Sequence, residues 1–265
     1  MRERNRRIEP RVIKLAETRI DQSGVRELVR HYAANDWLRR TRRHKRSDSE
    51  FLTELAGRVC YRSFGARLNP NITRIRENPR DYIHNVLKSR HGSVLEHSSV
   101  TFCFLDVSRV FTHELVRHRA GTAISQESLR YVRPRHLDLW IPADLRPVSR
   151  EFIAIFEEIE NGYRRLEASF PWEKMSFVEK KRITSGLRRI LPTGLATNMI
   201  WTANHRTIRW VIEMRTDPSA EVEIRKVFGL VARICTKDYP LLYGDFGRRT
   251  LDDGTYQYFP KFSKV

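Results

Sequence analysis

Ser98-Ser99-Val100-Thr101-Phe102-Cys103-Phe104-Leu105, then Asp106-Val107, then Ser108-Arg109-Val110-Phe111-Thr112-His113-Glu114-Leu115-Val116-Arg117-His118-Arg119, changes its period partway along. The first part is dense in β-branched and aromatic residues and predicts a strand over 98–105. The second spaces Val110, Phe111, Leu115 and Val116 for one helical face behind Ser108, a favourable N-cap, and predicts a helix over 108–119. Working outward, a further strand is expected over 12–19, with helices over 25–38, 49–63 and 79–89, the last after Asn78-Pro79. Long helices are expected over 149–168, over 176–190 behind the capping pattern Ser176-x-x-Glu179, and over 219–237 after Asp217-Pro218. Residues 120–131 read as a loop. Strands and helices mix without a regular strand–helix–strand alternation, so the fold class is α+β.

The chain has 265 residues, 40% hydrophobic and 31% charged, enough to bury a core. No apolar stretch approaches the roughly 20 residues that span a bilayer. The opening Met1-Arg2-Glu3-Arg4-Asn5-Arg6-Arg7 has no apolar segment behind it, unlike a secretory signal. Cys60, Cys103 and Cys235 are far apart and read as reduced core residues of a cytoplasmic protein. The net charge of +18 fits either a nucleic-acid binder or an enzyme whose substrates carry phosphates and carboxylates. The densest basic run, Arg39 to Arg46, precedes the capping pattern Ser47-x-x-Glu50 and reads as a solvated loop.

His113 and His118 mimic a zinc helix, but five residues apart they are rotated roughly 140° from each other, so no shared metal is expected. Arg117-His118-Arg119 at a helix end complements the macrodipole. The residues that follow, Gly121 to Tyr131, add hydroxyls, a carboxamide, a carboxylate and Arg130. Together these groups suit a phosphate and the edge of a flat polar ring. His91 to His97 forms a polar turn, and Arg215 ends an apolar stretch, so it needs an acceptor or the surface. Glycine-rich dinucleotide, P-loop, nucleophile-elbow and Cys-x-x-Cys motifs are absent. These patterns reach an anion-binding α+β enzyme or a nucleic-acid binder, and the chain lacks the interleaved aromatic-basic stripe that would favour the latter.

Arg117-His118-Arg119…Ser128-x-Arg130 resembles the signature of the flavin-dependent thymidylate synthases. The likeness extends to His91-x-Ser93-x-x-Glu96-His97, Ser108-Arg109, Arg188-x-x-Leu191-Pro192, Thr202-x-Asn204-x-Arg206-Thr207, Met214-Arg215 and Glu221-x-Glu223-Ile224-Arg225. It covers about residues 91–254 of a single domain spanning 1–265, and is weak over 1–90, where Arg58-Val59-Cys60-Tyr61 is the best piece. The resemblance implies a homotetramer of mixed helices and antiparallel sheet, with FAD held between chains. It also implies reductive C5-methylation of a uracil nucleotide, dUMP to dTMP, with methylenetetrahydrofolate as carbon donor and NADPH as reductant. Nucleic acid and membrane are not expected as partners.

By motif, the resemblance puts His91, Ser93, Arg117, His118, Arg119, Glu127, Asn204, Arg206 and Trp210 at the cofactor. It puts Glu114, Arg117, Gln126, Glu127, Ser128, Leu129, Arg130, Arg188 and Arg215 at the nucleotide. Arg215 corresponds to the activating arginine that stabilises charge on the pyrimidine as N3 ionises; no cysteine lies in a motif, so thiolate activation is not implied. Eight residues separate Arg119 from Ser128 where the common pattern has seven, Trp210 replaces the usual Asn or His, and Ala123 and Ile124 make the loop more apolar than usual. These departures keep open the same chemistry on UMP, as in relatives serving antibiotic pathways.

Overall fold

The structure, a computed structural model, describes residues 7–65 and 75–265; the charged opening stretch 1–6 lies outside them. Strand β1 (Arg11–Glu17) leads into helices α1 (Gln22–His31), α2 (Asn35–Thr41), α3 (Asp48–Tyr61) and α4 (Pro79–Lys88). Next come β2 (Ser99–Ser108), α5 (Arg109–Leu115) and β3 (Thr122–Gln126), then α6 (Ser149–Ala168) and α7 (Phe177–Leu187). The chain continues through β4 (Ala196–Asn204), α8 (His205–Arg215), α9 (Val222–Asp238) and α10 (Pro240–Tyr243) to a hairpin of β5 (Phe246–Thr250) and β6 (Tyr256–Pro260). The main sheet is antiparallel in the order β1-β2-β4-β3. This is the α+β class read from the sequence, with the mixed helices and antiparallel sheet that the resemblance implies.

Alternation along β2 and β4 buries Val100, Phe102, Phe104, Met199, Trp201 and Ala203 on one face. Ile208, Val211 and Ile212 of α8 pack there, as do Ile224, Val227, Phe228 and Val231 of α9. Asp106, at φ +58°, marks a bulge that turns Val107 onto the buried face. The opposite face is open: Ile13, Leu15 and Ile200 are each about half exposed. Two smaller cores form between α1, α2 and α3, and between α6 and the segment holding Leu137 and Leu139.

Both central strands run directly into helices. Ser108 Oγ accepts the Phe111 N–H at 3.1 Å and caps α5, as its sequence position predicts. Asn204 Oδ1 accepts the Thr207 N–H at 2.9 Å and caps α8 in the same way.

Several expectations are corrected. The helix expected over 25–38 is two helices, because Ala33 adopts φ +53° and redirects the chain so that Trp37 and Leu38 reach the core already holding Val25 and Val29. The helix expected over 108–119 stops at Leu115, and Arg117, His118 and Arg119 follow in a tight turn into β3. Residues 122–126 are an edge strand, not loop, because their backbone pairs with β4. Cysteine burial also differs: Cys235 is buried and Cys103 half-buried, whereas Cys60 is exposed. Arg46 leaves the solvated basic run, pairing with the buried Glu54 at 2.9 Å beneath the Ser47–Glu50 capping box.

The Ser108 cap is itself held from outside the helix. Glu223 of α9 accepts the Ser108 N–H at 2.7 Å and also the Ser108 hydroxyl. Burial pushes the Glu223 carboxyl up from its usual 4.5 to about 7. Between those values the native state holds more protons than the unfolded chain, so this group's contribution to stability declines as pH rises through that window. Glu223→Gln keeps an acceptor for the Ser108 N–H, and urea titrations from pH 5 to 8 should show a flatter stability profile than wild type, by on the order of 2–3 kcal/mol.

Candidate active site

Helices α5 and α8 start at opposite ends of the β2–β4 ladder and travel toward each other beneath it. Their last turns meet. Arg215, the final residue of α8, donates from Nη1 to Glu114 Oε2 at 2.9 Å, from Nη2 to the Glu114 carbonyl at 3.3 Å, and from Nε to His118 Nε2 at 2.7 Å. A guanidinium placed on the terminal carbonyls of a helix is also favoured by the dipole. Burial, helped by the charge of Arg215, pulls the His118 pKa down to about 4. At neutral pH the ring is uncharged and its Nε2 accepts the Arg215 N–H. Arg215 is therefore fixed in direction, with one carboxylate and one neutral imidazole on it.

This cluster opens on a cleft of about 620 Å³ bounded by Arg109, His113, Glu114, Arg117, Arg215 and Glu221. Arg109 also bounds an adjoining pocket of about 170 Å³ with Glu127, Leu129, Asp138 and Asn198. Its Nη1 is buried and has no hydrogen-bond partner among the described residues. Burial, and then Arg188 beside it, draw the Arg109 pKa down. Such a site attracts an anion, because neither of these neighbouring guanidiniums forms an ion pair among the described residues.

A second cleft of about 410 Å³ lies beside the start of α8, lined by Glu96, Ala120, Gly121, Asn204, Arg206, Thr207, Trp210, Lys264 and Val265. Gly121 sits at φ +67°, and a Cβ there would run into the Asn204 amide and stand 2.7 Å from Thr207 Oγ1. Only glycine lets the backbone approach this wall. Trp210 is 42% exposed, an aromatic surface facing a cleft of amide and cationic donors. That donor set fits a flat ring bearing phosphates.

The residues singled out in the sequence thus divide. Glu114, Arg117, His118 and Arg215 come together at the first cleft; Asn204, Arg206 and Trp210 come together at the second. His91 Nδ1 shares a hydrogen bond with the Tyr61 hydroxyl at 3.3 Å at the head of the short turn Gly92–Glu96, on which Ser93 is exposed. Gln126 donates to Thr112 Oγ1 at 3.1 Å, and Glu127 accepts from the Asn198 side chain at 3.0 Å in the small pocket. Arg119, Arg130 and Arg188 are exposed, and Ser128 caps its own turn by accepting the Arg130 N–H. Glu127 and Leu129 line the small pocket, which meets the Arg215 cleft at Arg109. Arg109, Glu221 and Lys264 were not assigned roles from the sequence. For Arg109 a signal was present, since a cation in the first turn of a helix opposes the dipole and asks for another reason to be there.

The family described as thymidylate synthase complementing protein matches residues 41–241. The chain is 34% identical over 214 residues to the flavin-dependent thymidylate synthase of Mycobacterium bovis (strain BCG / Pasteur 1173P2), covering 77% of this chain and 82% of that protein. It is 32% identical to that of Corynebacterium aurimucosum, over 79% and 84% of the two chains. The fold is similar to that of a UMP/dUMP methylase, PolB from Streptomyces cacaoi bound with 5-Br dUMP: TM-score 0.63, 20% identity, 90% of this chain and 94% of that one. With the arginine-histidine-arginine turn docked on Arg215 and the sequence likeness spanning most of its length, the chain belongs to the flavin-dependent thymidylate synthase family.

Proposed function

We propose that this enzyme carries out FAD-dependent reductive C5-methylation of dUMP to dTMP, drawing carbon from methylenetetrahydrofolate and electrons from NADPH. The observation that carries the reading is the fixed Arg215 guanidinium at the mouth of the larger cleft. Uracil C5 is a weak nucleophile until the ring gains electron density. A guanidinium already oriented by Glu114 and His118 stabilises negative charge at N3 without reorganising. Neutral His118 serves this role better than a charged one, since it accepts from Arg215 instead of repelling it.

A flavin bound in the smaller cleft would supply the hydride that completes the methyl group. Asn204, Arg206 and Trp210 hold the cofactor in the smaller cleft, with Arg117 and Arg119 on the turn between the two sites and His91 and Ser93 at its rim. Arg188 and the 126–130 segment complete the nucleotide site. Because Ile13, Leu15 and Ile200 leave the open sheet face apolar, we assign the assembly as the homotetramer with shared sites that the family resemblance implies. A cytoplasmic setting accords with free thiols and a high positive charge that gathers anionic substrates.

UMP is the second reading, favoured by the eight-residue spacing and by the similar methylase, which is described with both nucleotides. Residues 122–126 pair with β4 in unbroken register, and the Glu127 N–H continues the ladder to the Asn198 carbonyl at 3.1 Å. Of the eight spacer residues, Ala120 and Gly121 precede this ladder, and both line the smaller cleft.

The purified protein should be yellow or take up FAD. In competition between equal dUMP and UMP, dTMP should be the main product, and an excess of methylated UMP reverses the substrate order. Arg215→Ala should retain FAD while methylation falls by roughly 100- to 1,000-fold; wild-type turnover in that variant ends the activation argument.

A further inference from the structure

Residues after β6 fold back along one face of α8. The Lys261 N–H donates to the Asp245 carbonyl at 2.9 Å, and the Phe262 N–H to Asp245 Oδ2 at 3.2 Å. Arg209 Nη2 donates to the Phe262 carbonyl at 3.2 Å, and Ser263 Oγ to Glu213 Oε1 at 2.6 Å. Arg206 Nε donates to the Val265 carbonyl at 3.1 Å. Arg206, Arg209 and Glu213 are spaced three and four apart, so one stripe of α8 grips three successive points of this segment. A strap held at so many points is built, not frayed.

Two further observations tie it to the smaller cleft. Gly92 accommodates it: a Cβ there would stand 2.5 Å from the Val265 carbonyl carbon and 2.7 Å from Arg206 Nε. Lys264 takes φ +56°, a left-handed conformation costly for a lysine, which the contacts on either side enforce. Its ammonium has no carboxylate partner among the described residues, while the nearby acids are engaged, Glu96 with Arg206 and Glu213 with Ser263. It lines the cleft with Arg206 and Trp210. A strained backbone that delivers an unpaired cation to a cleft is a binding device.

We propose that 262–265 is a cofactor strap: Lys264 binds the phosphates of the flavin dinucleotide, and the Val265 carbonyl is a positioning group that aims Arg206 at them. This rests on the assignment of FAD to that cleft. The test titrates FAD into the full-length apoprotein by flavin fluorescence, at low and high salt. Lys264→Glu should weaken binding roughly tenfold or more at low salt, with the gap narrowing at high salt, while Lys264→Arg retains the wild-type affinity. Gly92→Ala, which displaces the strap, should weaken FAD similarly and add little to Lys264→Glu. Wild-type affinity in Lys264→Glu, or full additivity of the two substitutions, overturns the strap. Failure of the wild-type protein to bind FAD instead overturns the cofactor assignment beneath it.

Discussion

The antiparallel ladder between β2 and β4 is the constraint on which the rest depends. Each of its strands passes without a linker into a helix, at opposite ends of the sheet. Ten strand residues span about 33 Å, while the 11 residues of α8 and the seven of α5 cover about 16 and 10 Å. Two helices entering from opposite ends over that distance are bound to bring their C-terminal turns close together. Arg215 and Glu114 meet for that reason, and the negative ends of two dipoles facing each other are an unfavourable arrangement that a guanidinium relieves.

The cost of holding a cation there is offset by its neighbours. Glu114 provides a carboxylate and a carbonyl, and His118 gives up its proton to become an acceptor. The opposite end of α8 is tied down separately, through the Asn204 cap and the contacts of Arg206 and Arg209 with the chain after β6. One helix thus lies between two clefts, one at each end.

The bulge at Asp106 and the cap at Ser108 set where α5 begins. Glu223 reaches across from α9 to both polar groups of Ser108, so the start of α5 is referenced to the largest core helix, whose Phe228 packs against Phe104 and Phe111. Displacing that end would move Glu114 and the turn after it relative to Arg215.

Much of this was legible in the residues themselves. The α+β class, the strand over β2, the caps at Ser47, Ser108 and Ser176 and the long helices α6 and α9 follow from alternation, helical spacing and capping chemistry, which act within a few residues. The arginine-histidine-arginine turn, the Asn204–Arg206 group and Arg215 were recognisable as motifs. The edge strand β3 was not, because Thr-Ala-Ile-Ser-Gln is short and its polar residues read as a loop until β4 supplies hydrogen-bond partners. Strand β4 and helix α8 went unassigned, since a Trp-Thr-Ala-Asn-His-Arg stretch lacks the length of either pattern before the two join. What only the tertiary structure decided is which charges touch. The placement of His118 on Arg215, the setting of Arg109 beside Arg188 and the Lys264 strap involve residues about 60 to 170 positions from what they face. Sequence sets local conformation through short-range sterics and capping, whereas the encounter of distant charges is set by the ladder that aims the helices.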